Sequence, residues 1–358
     1  MGRSNWNWAF LGLFALGLRL LAGFFPELTY QFYSRTLFPA IRNGIDLSLG
    51  FLPFPTVYLF IGLIISIFWV SLRRFLGFKG RKNRAQYLLQ ASANGLGGLV
   101  FFFLLLWGYN YQRTPIIEQL ALQPQTLNLQ QLKEELELTQ RLAFRDREQI
   151  SQDTLALTEL MRFADLEDLV RLAMQENSEV LGLNFIGHPR TKQFSPEGFM
   201  RRMGIIGIYF PYTGESYLDP SLHPLEKPFT IAHEMAHSYG ITDEGEANFI
   251  AWVICTRSEE PLLRYAANLL LLRYQLRDYY EMDPEAALGW MEALPRGIIQ
   301  DLIAIREASK AYPPIWLELS RKTNDLFLKS QGVKAGVNSY QQLPMLASAW
   351  RQRMVEEN

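Results

Sequence analysis

Long apolar runs dominate the first third of the chain, whereas the remainder is polar with shorter apolar repeats. A bilayer crossing needs about 20 apolar residues, and three runs approach that length, at roughly residues 6–25, 55–72 and 93–109. No small-x-small cleavage pattern follows the first run, which favours an anchor over a cleaved signal peptide. The pattern therefore predicts a membrane domain over residues 1–111 with three transmembrane helices.

The pattern changes after residue 111. Leucines recur every three or four positions among charged residues in Leu127–Arg145 and Ala164–Glu176, which predicts amphipathic helices. The stretch from Met203 to Leu218 is rich in Gly, Ile, Tyr and Phe, a composition typical of short strands and turns. Residues 112–358 are therefore predicted to form an α+β domain with a small sheet, and the whole chain is expected to be mostly α.

Gly207–Pro211 is the candidate edge strand of that sheet, because proline is tolerated better at an edge than in a central strand. An edge strand can pair with an extended substrate peptide. Tyr209 would then be a candidate substrate contact. A purely structural hairpin explains the same residues equally well.

Charge is distributed unevenly along the chain. Residues 1–109 hold 10 Lys and Arg against 2 Asp and Glu, although the net charge of the whole chain is only -1. Six of these cations lie between residues 73 and 84, and short basic loops are retained in the cytoplasm. Three crossings then predict an inner-membrane protein with a cytoplasmic amino terminus and an extracytoplasmic domain. The acidic remainder has no basic stripe, which argues against a nucleic acid partner.

The most informative motif is His-Glu-Met-Ala-His at residues 233–237. Positions four apart lie on one face of a helix, so His233 and His237 can bind a single metal ion while Glu234 lies beside it. Pro228 is suited to the first turn of this helix, and Gly240 to a left-handed stop after it. The spacing therefore predicts a zinc site.

Two carboxylates are candidates for the third metal ligand. A second helix is expected to begin at Thr242 or Asp243, and it carries both Glu244 and Glu246. Glu244 and Asn248 share a face of that helix, so Asn248 can support a ligand histidine if Glu244 binds the metal. Glu246 lies on another face and is expected to cap the helix, with the ligand role as its alternative.

The order of these residues, His-Glu-x-x-His followed by Glu-x-x-x-Asn, resembles the gluzincin metallopeptidases. That resemblance implies a zincin-like metallopeptidase domain with one Zn²⁺ ion. It also implies that His233, His237 and Glu244 are the zinc ligands, and that Asn248 braces one of the histidines.

The sequences at 210–215, 228–237 and 244–249 also resemble a bacterial membrane family catalogued as domain of unknown function 3810. This resemblance extends over nearly the whole chain. It implies a fold and a zinc site, but it names no substrate.

These residues together predict a membrane-anchored zinc-dependent endopeptidase acting on a peptide or protein of the cell envelope. Zinc with three protein ligands leaves a position for water and lowers the pKa of that water toward about 7. Glu234 would be the general base that takes the proton and later delivers it to the leaving amine. A donor to the developing oxyanion is also required. The candidates, which the sequence does not rank, are Tyr340, Tyr279 and His223.

Two other classes of protein remain open. One is a non-catalytic zinc-binding envelope protein, such as a scaffold or sensor; a structural zinc site normally has four protein ligands and needs no base, which favours the enzyme. The other is an intramembrane protease. The charged residues around the motif, in Glu226–Lys227 and Asp243–Glu246, are too polar for a segment in contact with lipid.

Overall fold

A computed structural model describes residues 5–158, 160–315, 317–330 and 342–356. In this part of the chain the protein is mostly helical, with one three-stranded sheet, as the sequence predicts. Its contacts divide it into two units. Unit 1 comprises Met1–Thr114, Ile186–His188 and Phe210–Glu215, and unit 2 comprises the rest of the chain.

The helices of unit 1 include one π-helical and one 3-10 segment. They are α1 (Asn7–Ala22), α2 (Pro26–Leu28), the π-helix Thr29–Leu37, α3 (Phe38–Leu49), α4 (Val57–Gly77), α5 (Arg81–Leu106) and the 3-10 helix Gly108–Gln112.

Two helices of unit 1 are long and apolar enough to cross a membrane, namely α4 and α5. The first predicted span, at residues 6–25, is not one continuous helix, because α1 ends at Ala22 and the chain bends by 117° before Pro26–Leu49. Proline disfavours helical geometry in the residue before it, and Phe25 has φ -134 and ψ 61. The structure therefore has two candidate spans, or three if the bent pair counts as one.

The α1 and α5 helices pack closely in unit 1. A Cβ atom on Gly12 would lie 2.6 Å from the Cα atom of Gly97, so the two backbones touch at glycine. The amide oxygen of Asn94 accepts a hydrogen bond from the backbone N–H of Ala9 at 3.1 Å. The phenol of Tyr109 donates to the carbonyl of Ala15 at 3.0 Å. Glycine contacts and polar bonds between apolar helices are typical of helix pairs in membranes.

Buried polar contacts hold the 210–215 segment in unit 1. Arg42, which is 1% exposed, donates to the carboxylate of Asp46 at 2.5 Å and to the carbonyl oxygen of Gly214. The backbone N–H of Thr56 donates to the carboxylate of Glu215 at 2.9 Å. Both carboxylates and the guanidinium have at least one partner, so these buried charges do not remain unpaired. Within the guanidinium, Nε has no hydrogen-bond partner among the described residues.

Unit 2 contains eleven helices among its described residues. They are α6 (Ile116–Gln119), α7 (Leu129–Ile150), α8 (Phe163–Glu176), α9 (Phe199–Arg202), α10 (Lys227–Ser238), α11 (Glu244–Arg257), α12 (Pro261–Met282), α13 (Pro284–Glu292), α14 (Arg296–Lys310), α15 (Leu317–Ser330) and α16 (Leu343–Glu356), of which α6 and α9 are single turns. The predicted amphipathic helices correspond to α7 and α8.

The centre of unit 2 is formed by α10 and α11, which pack on each other and on α8 and α12. Every residue from Pro228 to Ser238 is buried, and so is every residue from Gly245 to Cys255. A helix buried on all sides has no exposed face for its polar residues, so the polar side chains within these two helices need partners inside the protein.

A buried carboxylate joins three elements of unit 2. Asp301 on α14 is 0% exposed, and it accepts hydrogen bonds from Arg147 of α7 at 2.8 Å and from the phenol of Tyr265 of α12 at 2.6 Å. The backbone N–H of Leu157 is a third donor at 2.8 Å. With three donors the buried charge is satisfied, and the network fixes the packing of α7, α12 and α14.

The sheet has the order β1-β3-β2, with β1 at Thr191–Gln193, β2 at Gly207–Phe210 and β3 at Glu215–Leu218. β1 and β3 are parallel, with Lys192 opposite Tyr217. β2 therefore lies at an edge, where the sequence predicts the edge strand. The hydroxyl of Ser216 on β3 donates to the carbonyl of Glu234 at 3.0 Å, which fixes the central strand against α10.

Candidate metal centre

Local sequence signals define both helices of the candidate site. α10 has Pro228 in its first turn and ends at Ser238, and Gly240 follows with φ +86. Only glycine adopts this left-handed conformation without strain. α11 begins after Asp243, whose carboxylate accepts the backbone N–H of Glu246 at 3.0 Å as an N-cap. The predicted helix stop at Gly240 and the predicted start at Asp243 are both confirmed.

His233, His237 and Glu244 form the group of side chains that could hold a metal ion among the described residues. The two Nε2 atoms of the histidines lie 3.1 Å apart. Oε2 of Glu244 lies 3.1 Å from Nε2 of His233 and 3.2 Å from Nε2 of His237. The three atoms form a nearly equilateral triangle. Ligands about 2.0–2.1 Å from a tetrahedral zinc ion are separated by about 3.3 Å, so the triangle matches zinc.

A backbone carbonyl orients the second histidine. Nδ1 of His237 lies 2.7 Å from the carbonyl oxygen of Ile241, and a carbonyl only accepts hydrogen bonds. Nδ1 therefore carries a proton, and Nε2 faces the triangle, where its lone pair can bind a metal ion once Nε2 is deprotonated. The turn at Gly240 brings Ile241 back to the helix end. This partner belongs to the backbone, so residue identities in the sequence gave no signal for it.

Glu234 lies beside the triangle, and its side chain is almost fully enclosed. It is 5% exposed, and the backbone N–H of Tyr209 on β2 donates to its carboxylate. Within the described part of the chain, its Oε2 atom has no hydrogen-bond partner. A buried carboxylate oxygen without a partner is costly unless a ligand or a water completes it.

Charges and burial act in opposite directions on these groups. Burial raises the pKa of Glu234, against the opposing effect of the two histidines. Burial alone would lower the pKa of His237, but the adjacent Glu244 outweighs it and raises that pKa to about 9. Burial would likewise raise the pKa of Glu244, but the two imidazoles lower it well below its usual range. A metal ion entering this site has to displace the proton of the histidine pair.

The β2 strand passes directly over Glu234 at Gly207. A Cβ atom added to Gly207 would lie 2.5 Å from Oε1 and 2.9 Å from Cγ of Glu234. Contacts under 3.0 Å require something to move. A side chain at position 207 would therefore force the Glu234 side chain or the strand to move.

We expect Gly207→Ala to lower the stability of unit 2 by roughly 1–3 kcal/mol, the usual cost of inserting a methyl group into a packed interior. Gly289 on α13 has open space around a Cβ, so the control Gly289→Ala is expected to raise stability by roughly 0.5–1 kcal/mol. The measurement is the melting temperature of the detergent-solubilised protein. Equal changes of melting temperature in the two variants would show that the space around Gly207 can accept a methyl group.

The second carboxylate of α11 has a different partner. Glu246 is 5% exposed, and its Oε1 atom accepts the backbone N–H of Ile117 at 3.2 Å. It is absent from the ligand group formed by the described residues. The sequence predicts that the side chain of Glu246 caps the helix. In the structure the carboxylate of Asp243 is the cap instead, and it accepts the backbone N–H of Glu246. Asn248 is buried, at 4% exposure, one turn after Glu244.

The other predicted site residues have different positions. His223 precedes the first turn of α10, whereas His237 is at its last turn. Its Nδ1 atom accepts the N–H of Leu225 at 3.3 Å. Tyr209 contributes its backbone N–H to Glu234, and its side chain is buried. Tyr279 is buried on α12, with its ring 6.3 Å from that of Trp290.

Tyr340, the remaining oxyanion candidate, lies outside the described residues.

The chain is a mostly helical protein with two or three helices apolar enough to span a membrane and a buried His-His-Glu cluster. It belongs to the family described as Protein of unknown function (DUF3810), whose family model matches residues 33–348. No curated protein and no solved structure matches the chain. The predicted family is thereby confirmed.

Proposed function

We propose that this protein is a membrane-anchored zinc-dependent metallopeptidase. The observation that carries the proposal is the triangle of His233 Nε2, His237 Nε2 and Glu244 Oε2, with edges of 3.1–3.2 Å. Three protein ligands around one position are typical of catalytic zinc sites, whereas structural sites normally have four. The charge distribution of the sequence supports a cytoplasmic amino terminus and a catalytic domain outside the cytoplasm.

The roles of the residues follow from their positions. His233, His237 and Glu244 would hold the ion, and Ile241 keeps His237 in the tautomer that can bind it. A bound zinc ion would lower the pKa of a water molecule toward about 7 and polarise the scissile carbonyl. The unpartnered Oε2 of Glu234 would accept the proton of that water and return it to the leaving amine. The raised pKa of Glu234 suits a group that holds a proton between these two steps.

The β2 edge strand supports a peptide as the substrate. An extended peptide can add to an exposed strand edge through backbone hydrogen bonds. At Gly207 this strand leaves no room for a Cβ atom beside Glu234. A peptide paired with β2 would therefore lie next to the general base. This arrangement would position the scissile bond with little dependence on side-chain identity.

The proposal is tested by metal analysis and a cleavage screen. The purified full-length protein is expected to hold one zinc ion per chain and to cleave members of a broad peptide library. His233→Ala should lose both properties, because two of the three ligand-to-ligand contacts involve this imidazole. Zinc affinity should rise as the pH increases toward 9, since His237 must lose its proton. Stoichiometric zinc without cleavage would support the non-catalytic zinc-binding protein instead.

A further inference from the structure

The loop between α4 and α5 borders an open cavity of about 580 Å³ in unit 1. Its lining combines three cationic side chains with apolar ones and contains no carboxylate. The lining residues are Phe75, Lys79, Gly80, Arg81, Arg84, Ala85 and Leu88. Cavities of this size are within the range that accommodates small ligands.

The cations of this cavity have no carboxylate available to them within unit 1. That unit contains only three acidic residues, and each is engaged elsewhere. Glu27 accepts from Gln31 and Thr114. The other two, Asp46 and Glu215, hold the buried contacts described above. No acidic residue occurs in the sequence between Asp46 and Glu118. The positive charge of the cavity is therefore uncompensated by the unit itself.

Several contacts form the cavity before any ligand arrives. The Nε of Arg84 donates to the carbonyl of Phe78 at 3.0 Å, and its guanidinium lies 5.5 Å from the centre of the Phe75 ring. The hydroxyls of Ser71 and Tyr87 are 3.0 Å apart and close the hairpin just beyond it. Because these contacts fix Arg84, little conformational entropy is lost when its remaining N–H groups bind an anion.

The cavity also continues into apolar helix surfaces. Phe75 belongs to α4 and Leu88 to α5, the two helices that are long and apolar enough to span a membrane. The first turn of α5 adds backbone N–H groups, which favour phosphate at a helix N-terminus. A ligand that fits must therefore combine a phosphate with hydrocarbon chains.

We infer that this cavity binds the phosphate headgroup of an anionic phospholipid, with the acyl chains lying along α4 and α5. Basic pockets between membrane helices are suited to such headgroups. The site would fix the depth and rotation of the α4–α5 hairpin in the bilayer. It is independent of the proposed peptidase function.

The test uses full-length protein in a neutral detergent, with bound lipid counted by native mass spectrometry. Dioleoylphosphatidylglycerol is expected to bind, and dioleoylphosphatidylcholine to bind much more weakly. The variant Lys79→Gln/Arg81→Gln keeps the Arg84 contacts, and neither replaced side chain has a hydrogen bond or ion pair within the described residues. Each such cation strengthens attraction to anionic lipid roughly fivefold. We therefore expect about 25-fold weaker binding.

The matched control is Arg73→Gln/Arg74→Gln, which removes the same charge from exposed positions of α4 outside the cavity lining. It is expected to retain binding of phosphatidylglycerol. Equal losses in both variants would show diffuse charge attraction and overturn the site. Equal binding of phosphatidylcholine would overturn the headgroup assignment. Inorganic phosphate and glycerophosphoglycerol are added as competitors of phosphatidylglycerol. If either one prevents lipid binding at low concentration, the cavity binds a free anion and the lipid inference fails.

Discussion

Replacing Glu234 with glutamine is expected to lower the rate of peptide cleavage by at least about 10²-fold while zinc remains bound. Glutamine has nearly the same volume, so the packing beneath Gly207 is preserved. Its amide cannot accept the proton that the carboxylate Oε2 would take. Because Glu234 is not one of the three atoms in the ligand triangle, the metal content should not change.

The measurements are zinc per chain and the cleavage rate of a substrate identified in the peptide screen. Glu234→Asp is the matched control, because it keeps a carboxylate on a side chain that is one methylene group shorter. It should retain more activity than Glu234→Gln. A glutamine variant that cleaves at the wild-type rate would refute the general-base role. Loss of zinc from that variant would instead make Glu234 a ligand.

The second large effect concerns the two carboxylates of α11. Glu244→Gln is expected to weaken zinc binding by more than about 100-fold. Loss of a residue that only hydrogen-bonds to a metal ligand weakens binding by up to about 100-fold, and loss of a ligand should weaken it further. Its Oε2 atom contacts both histidine nitrogens of the triangle. Without the metal, the same substitution removes the charge that holds the pKa of His237 near 9.

Glu246→Gln is the matched control for this experiment. Its amide oxygen can still accept the N–H of Ile117, so both zinc content and stability should stay close to those of the wild type. Zinc affinity of each protein would be measured by competition with a chromogenic chelator. If Glu246→Gln loses zinc and Glu244→Gln keeps it, Glu246 is the ligand.

Much of the candidate site follows from short-range rules that are visible in the sequence. The pairing of His233 with His237 follows from the helical repeat, and the end of α10 follows from the conformational freedom of Gly240. The start of α11 is given by the capping side chain of Asp243. The edge position of β2 follows from the intolerance of central strands for proline. Each of these rules operates over four residues or fewer.

Membrane helices were predicted with less accuracy at their ends. Apolar length alone predicts a third span that begins near residue 93, whereas α5 begins at Arg81 and includes part of the basic loop. Hydropathy detects the apolar part of a helix, but the helix continues wherever its backbone hydrogen bonds continue. The basic residues that mark the loop in the sequence are therefore partly helical. Arg81 and Arg84, which line the cavity between α4 and α5, belong to this helical part.

The sequence by itself determined which residues can share a face of a helix, because the period of the backbone is fixed. The tertiary structure decided which of those faces meet. Glu244 and Glu246 are separated by about 200° around α11, and only the packing of α11 on α10 turns Glu244 toward the histidines. The contacts of Ile241 with His237 and of Gly207 with Glu234 also depend on packing. Backbone atoms carry no sequence signal, so these partners emerge only when distant segments are brought together.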